Sequence, residues 1–225
     1  MYRIPDTEFD LDSELDKARE FYRNHAIPAD ALARMDQQTE ELVRSEVGKK
    51  APALGATAPD FALPNAHGST VALSGLLGAG PVVLTFYRGQ WCPYCNLALR
   101  GLQQIVPRLT ELGAALVAVS PQTPDNSLST VEKNHLEFEV LSDPEGTVAG
   151  AYGLAFEIPR YLRDIYEKFG HPLPLFNGEG NHTIPVPGTF VLDRDATVRY
   201  RFVDVDYTRR ADPAQLVSVV TELRA

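Results

Sequence analysis

A pair of cysteines between a buried strand and a helix constrains this chain more than any other feature. Residues 82–87 form a β-branched, apolar run that predicts a buried strand. Cys92-Pro93-Tyr94-Cys95 follows at once. The residues after it recur with helical spacing: Ala98, Leu102, Ile105, Leu109 and Leu112. The chain has 2 cysteines, so every thiol lies at this one junction.

The position of the two thiols predicts different roles for them. A cysteine at a helix start faces unpaired backbone N–H groups and the positive end of the helix dipole. We therefore expect the pKa of Cys92 to lie below that of a free thiol, whereas Cys95, one turn further in, is more buried and keeps its proton. Pro93 suits the first helical position. The pattern predicts an attacking thiol, Cys92, with a resolving thiol, Cys95, behind it.

Two other uses of the cysteine pair are disfavoured. A zinc site needs about four ligands, and the histidines show no H-x₃₋₅-H spacing: His25, His67, His135, His171 and His182. A structural disulfide across so small a loop would gain little chain entropy. Cysteines this close together also cannot join the distant loops of a secreted scaffold. We predict redox chemistry with no metal and no cofactor.

Charge and hydropathy narrow the class of protein further. The chain carries 21 basic and 30 acidic residues, a formal charge of -9. This balance argues against nucleic acid and against a polybasic membrane anchor. No apolar run approaches the roughly 20 residues of a membrane span, and the N-terminus has no apolar signal core. We expect a cytoplasmic protein without a nucleic-acid or membrane partner.

The sequence divides into a helical arm, residues 1–50, and a main domain, residues 51–225. Leu11, Leu15, Ala18 and Tyr22 share one helical face, and Pro28 opens a second helix. Nothing in the arm suggests chemistry. We interpret it as a segment that packs either on the domain or on a second subunit. The second alternative implies a homodimer.

The main domain alternates strands with helices and then ends in two adjacent strands and a helix. Crossover helices imply parallel strand pairs, and the tight turn at 193–195 implies an antiparallel pair. This order predicts an α/β thioredoxin fold, a mixed central sheet flanked by helices. In such folds a cis-proline begins the later strand beside the redox pair, so we predict a cis bond at Val186-Pro187.

An insert at about residues 154–185 separates the middle of the domain from the Pro187 loop. It is rich in proline and in aromatic residues, among them Phe156, Tyr161, Phe169 and Phe176. One end of the insert is anchored beside the predicted redox site. We expect it to border that site and to restrict access by bulky protein disulfides, although a peripheral packing role stays open.

Several motifs resemble the alkyl hydroperoxide reductase/thiol-specific antioxidant (AhpC/TSA) family of peroxiredoxin-like proteins. Residues 86–95, FYRGQWCPYC, resemble the active-site signature. Residues 55–61, 141–153 and 188–193 resemble the opening, the middle and the later strand of such domains. The likeness covers roughly residues 52–225, and it implies a thiol-based peroxidase.

The site departs from that family in three places. Members of that family carry the pattern P-x-x-x-T-x-x-C, but in this chain Thr85 replaces its proline and Gly89 replaces its threonine. They also carry an arginine on the later strand that supports the reactive thiolate, and the matching residue here is Pro187. The resolving cysteine usually lies farther away than Cys95. At these places the site is more similar to thioredoxin, through Trp91-Cys92, or to glutaredoxin, through Cys92-Pro93-Tyr94-Cys95.

Three functions follow, of which the first is favoured. Cys92 would attack a hydroperoxide and Cys95 would resolve the product to a disulfide, which a thioredoxin- or glutathione-type reductant would restore. Arg88 would supply the missing cation, unless it is a surface residue after the strand. The alternatives are a protein disulfide reductase that uses the same cysteines and a redox-sensing module. Arg209 and Arg210 are expected in a solvated turn.

Overall fold

The computed structural model describes residues 2–5 and 7–224. Its α-helices are α1 Leu11–Phe21, α2 Ala29–Arg44, α3 Leu73–Ala79, α4 Pro93–Glu111, α5 Pro124–Asn134, α6 Thr147–Ala151, α7 Arg160–Lys168, α8 Leu173–Asn177 and α9 Pro213–Glu222. A π-helical segment, Tyr22–Ala26, continues α1. Its strands are β1 Ala62–Pro64, β2 Thr70–Ala72, β3 Val82–Phe86, β4 Ala115–Ser120, β5 Glu139–Ser142, β6 Ala155–Glu157, β7 Thr183–Pro185, β8 Gly188–Leu192 and β9 Val198–Val203.

The central sheet has the strand order β5-β4-β3-β8-β9. β3 pairs in parallel with β4, and β4 with β5, through the crossover helices α4 and α5. β8 pairs antiparallel with both β3 and β9. This is a thioredoxin fold, and it confirms the mixed sheet that the element order predicts.

β3 is buried along its whole length because helices cover both faces of the sheet. Leu84 and Phe86 pack on one face with Tyr152. Val83 points the other way and packs with residues of α4 and α9. The alternation follows the two-residue period of a strand. A strand covered on both sides needs an unbroken apolar run, which is the pattern found in the sequence.

One helix, α3, makes a hydrogen bond in its first turn to a distant part of the chain. The carboxylate of Asp60 accepts a hydrogen bond of 3.0 Å from the Ser74 amide in the first turn of α3. The acceptor lies 14 residues before the amide it satisfies. A cap supplied from so far away leaves no local sequence signal.

The arm packs on the domain of its own chain. Leu11, Leu15 and Ala18 of α1 are buried in one cluster with Tyr94 and with both cysteines. Gly101 of α4 allows this approach, because a Cβ at that position would lie 3.3 Å from Leu11. The second helix of the arm, α2, contacts α7 of the insert.

In the part of the chain that the structure describes, no helix is both long enough and apolar enough to cross a membrane.

Candidate active site

Cys92 and Cys95 lie at the start of α4, where the sequence predicted them. Cys92 is the N-cap residue and Pro93 is the first helical residue. The Cys95 amide donates to the Cys92 carbonyl at 3.1 Å, which holds the two residues in one turn. Both are reduced and buried, with exposed fractions of 1% and 0%. Any reaction of these thiols would therefore take place inside the protein.

The loop before Cys92 explains one departure from the family pattern. Gly89 has a φ of +145°, and a Cβ there would collide with the indole of Trp91. The Cys92 amide donates to the Gly89 carbonyl at 3.1 Å, which closes the turn. Glycine is thus required for Trp91 to fold back beside Cys92.

Arg88 is a buried cation at the thiols. It is 3% exposed, so the alternative of a surface residue is wrong. Its Nη1 lies 4.0 Å from the Cys92 sulfur, and its Nη2 donates to the Tyr166 hydroxyl. The guanidinium carbon lies 5.0 Å from the centre of the Trp91 ring and 4.5 Å from that of Tyr207. These rings fix the charge and exclude water around it.

Arg210 is a second cation that the sequence analysis missed. Its Nη2 lies 2.9 Å from the Cys95 sulfur and 4.0 Å from the Cys92 sulfur. Its Nη1 donates to the Tyr207 carbonyl at 2.8 Å, which aims the side chain at the cysteines. The expected solvated turn holds only for Arg209, which is exposed and lies 3.6 Å from Asp204. The one sequence signal for such a residue is that Pro187 replaces the arginine of the family, so that another cation has to support the thiolate.

The surroundings of the two thiols favour the opposite order of acidity from the one expected from the helix start. Burial opposes ionisation of both, because a thiolate loses its solvation. The pKa of Cys95 nevertheless falls well below its usual range, since the Cys92 thiol donates to it and Arg210 and Arg88 lie close. Burial and the neighbouring Cys95 thiolate raise the pKa of Cys92 well above its usual range. The two thiols titrate as a coupled pair, and the guanidinium of Arg210, which lies closest to the Cys95 sulfur, favours the thiolate there.

Cys92 is nevertheless the cysteine that lines a cavity. The cavity has a volume of about 320 Å³, and Cys92 lines it whereas Cys95 does not. Trp91 and Tyr94 also lie on its surface, as do Pro93 and Arg88. The residue with access is therefore Cys92, and the residue with the lower pKa is Cys95.

The arm and the insert build the walls of this cavity. The arm contributes Tyr2, Ile4, Tyr22, Ala26, Ile27 and Met35, and the insert contributes Tyr166, Phe169 and His171. The Trp91 ring packs against Tyr166 and His171, at centroid distances of 5.3 Å and 5.9 Å. Packing of the arm on the domain thus also places apolar side chains around Cys92, a role that the sequence did not suggest.

Pro187 does not have the predicted conformation. The structure contains no cis peptide bond among the residues it describes, so Val186-Pro187 is trans. Pro187 lines a separate small cavity with Arg88 and Tyr207. Its carbonyl accepts a hydrogen bond of 3.2 Å from the Asp204 amide, which ties the loop to the end of β9. Arginine side chains, and not this proline, make the polar contacts to the thiols.

Comparison with known proteins gives consistent matches. The model of the AhpC/TSA family matches residues 54–201. A putative peroxiredoxin of Mycobacterium tuberculosis is 33% identical over 100 residues, 44% of this chain, and the chain spans 65% of the length of that relative. Alkyl hydroperoxide reductase E of Mycobacterium bovis is 30% identical over 149 residues, 65% of this chain and 82% of the relative.

A solved structure agrees in fold. The crystal structure of peroxidoxin BcpB from Mycobacterium tuberculosis superposes with a TM-score of 0.61 at 24% identity. The match covers 77% of this chain and 99% of that one.

Proposed function

The chain belongs to the AhpC/TSA family, and from this premise we propose that it is a thiol peroxidase that reduces hydroperoxides through Cys92. The observation that carries the proposal is that Cys92 lines a largely apolar cavity and that Arg88 and Arg210 each lie 4.0 Å from its sulfur. Two cations can hold the thiolate and the charge that develops on a departing oxygen.

The first step needs the thiolate on Cys92. The Cys95 thiolate accepts the proton of Cys92, and the two arginines stabilise the charge on either sulfur. Cys92 then attacks one oxygen of the hydroperoxide, so that the S–O bond forms while the O–O bond breaks. The products are a sulfenic acid on Cys92 and an alkoxide. The alkoxide takes the proton from Cys95 and leaves as an alcohol.

The second step converts the sulfenic acid on Cys92 into a disulfide between Cys92 and Cys95. The Cys95 thiolate attacks the sulfur of the Cys92 sulfenic acid, the S–S bond forms while the S–O bond breaks, and the departing hydroxide takes a proton from solvent to become water. Cys95 has given up its proton in the first step, and it lies one helical turn from Cys92, so the attack needs no large movement. A thiol reductant then restores both thiols.

Burial of the cysteines argues against the alternative, a reductase of protein disulfides. A protein disulfide must bring its own sulfur into line with the attacking thiolate. Cys92 is 1% exposed and lies behind side chains of the arm and the insert. A small hydroperoxide fits the cavity, whereas the surface of a folded protein does not.

Trapping the first intermediate tests the proposal. Reduced Cys95→Ser is mixed with an organic hydroperoxide and a dimedone-type reagent, and in parallel with a disulfide-bonded model protein. We expect one label on Cys92 after peroxide, no label in Cys92→Ser, and no mixed disulfide over the same time. A rapidly formed mixed disulfide without sulfenic acid would establish the reductase instead. Repeated turnover of the wild type with a reductant separates an enzyme from a sensor, which reacts once.

A further inference from the structure

The cavity at Cys92 differs in charge from the rest of the molecule. The chain has a net charge of -9, yet the described residues that line the cavity include Arg88 and Lys133 and no Asp or Glu. A cavity whose charged lining residues are basic favours binding of an anionic molecule, even though the protein as a whole is acidic.

Lys133 is the cation that a small molecule would meet. Its ammonium group donates to the Gln90 carbonyl at 3.2 Å, and no carboxylate of a described residue lies within ion-pair distance of it. Arg88, by contrast, is engaged by Tyr166 and by the rings of Trp91 and Tyr207. His171 adds no charge at neutral pH, because burial lowers its pKa. Lys133 is thus available to pair with an anionic group.

The size and enclosure of the cavity limit what can reach the sulfur. Its volume of about 320 Å³ suits a small organic molecule. The Tyr22, Met35 and Tyr166 side chains stand on its walls, so the sulfur of a folded protein would have to displace them.

We propose that the oxidised cysteine pair is reduced by a small thiol that carries a carboxylate and enters this cavity, and not by a protein dithiol. The proposal rests on the peroxidase function, for which it names the class of reductant. Lys133 would bind the carboxylate, and the apolar walls would contact the carbon chain of the thiol.

The reduction consumes two thiols. The first thiolate attacks the Cys92 sulfur, the bond between Cys92 and Cys95 breaks, and Cys95 leaves as a thiolate beside Arg210. A low leaving-group pKa speeds this step. The second thiolate attacks the donor sulfur of the mixed disulfide, which releases a disulfide of the donor and a Cys92 thiolate. That thiolate takes up one proton. The donor loses two electrons and the cysteine pair gains them.

The test starts from protein oxidised with diamide, so that its outcome does not depend on reaction with peroxide. Reduction is followed by alkylation and mass, with 3-mercaptopropionate, 2-mercaptoethanol and cysteamine compared per thiolate. We expect the anionic thiol to react about tenfold faster than the cationic one. Micromolar thioredoxin, kept reduced by its reductase, should leave the disulfide intact while millimolar 3-mercaptopropionate reduces it.

Lys133→Met should reduce the ratio of the 3-mercaptopropionate rate to the cysteamine rate to less than about twofold. The variant should slow the anionic thiol and accelerate the cationic one. A general loss of structure cannot produce this opposite change. Lys168→Met, which alters an exposed lysine outside the cavity, should leave the ratio unchanged. Equal rates for the three thiols in the wild type, or reduction by thioredoxin within the same interval, would overturn the proposal. Failure of the peroxidase assay alone would refute the proposed function and leave this result intact.

Discussion

The region that matches the AhpC/TSA family and the segments outside it contribute different parts of one site. Residues 54–201 supply both thiols and Arg88. Arg210, which contacts Cys95, lies beyond that region, and so does the arm, which lines the cavity. The shared region therefore provides both thiols, Arg88 and the wall of the cavity formed by the insert, while the outer segments add Arg210 and the wall formed by the arm.

The largest effect should come from Arg88, within the shared region. Arg88→Met removes a buried cation 4.0 Å from the Cys92 sulfur, and we expect the rate of peroxide reduction to fall about 100-fold. Stopped-flow measurement of sulfenic acid formation checks this. Arg88→Lys should recover part of the rate, because it keeps the charge but not the planar fork. If Arg88→Met keeps the wild-type rate while remaining folded, the shared region does not supply the essential cation.

A smaller effect should come from Arg210, outside the shared region. Arg210→Gln removes the guanidinium 2.9 Å from the Cys95 sulfur, so the pKa of Cys95 should rise. The pH at which the first thiolate forms then moves upward, and the peroxide rate at neutral pH should fall about tenfold. Thiolate absorbance as a function of pH measures the shift. Arg209→Gln is the matched control, and an equal shift there would show that only the overall charge matters.

The smallest effect should come from the cavity wall of the arm. Ile27→Ala combined with Met35→Ala widens the entrance to Cys92. A bulky maleimide should label Cys92 a few times faster in this variant, while a small alkylating reagent should be affected less than about twofold. Val43→Ala, at a residue that is 59% exposed on the same helix as Met35, provides the control. Equal acceleration of both reagents would indicate loosening of the fold and not a wider opening.

The fold was predictable from the sequence because its signals are local. The apolar run of β3, the helical spacing after Cys95 and the turn before β9 each depend on residues close in the chain. α3 has no such local signal, because the acceptor for its Ser74 amide is Asp60 in another segment.

The surroundings of the thiols were predictable only in part. Cys92, Cys95, Trp91 and Arg88 are neighbours in sequence, so the motif brings them together. Arg210 lies 115 residues from Cys95 in the sequence, and no local pattern predicts a contact between them. The expected order of the thiol pKa values was drawn from the helix dipole alone. It left out burial of the thiols and the contact of Cys95 with Arg210, which both come from tertiary structure.

The two arginines also bear on the energetics of electron transfer. When the cysteines join in a disulfide, the thiolate disappears while the buried charge of Arg88 remains among aromatic rings. The oxidised protein therefore holds positive charge without the anion that balances it in the reduced form. Stabilisation of the reduced form raises the reduction potential, by about 30 mV for each 1.4 kcal/mol. We expect a disulfide that is more oxidising than that of a thioredoxin-fold protein without such cations.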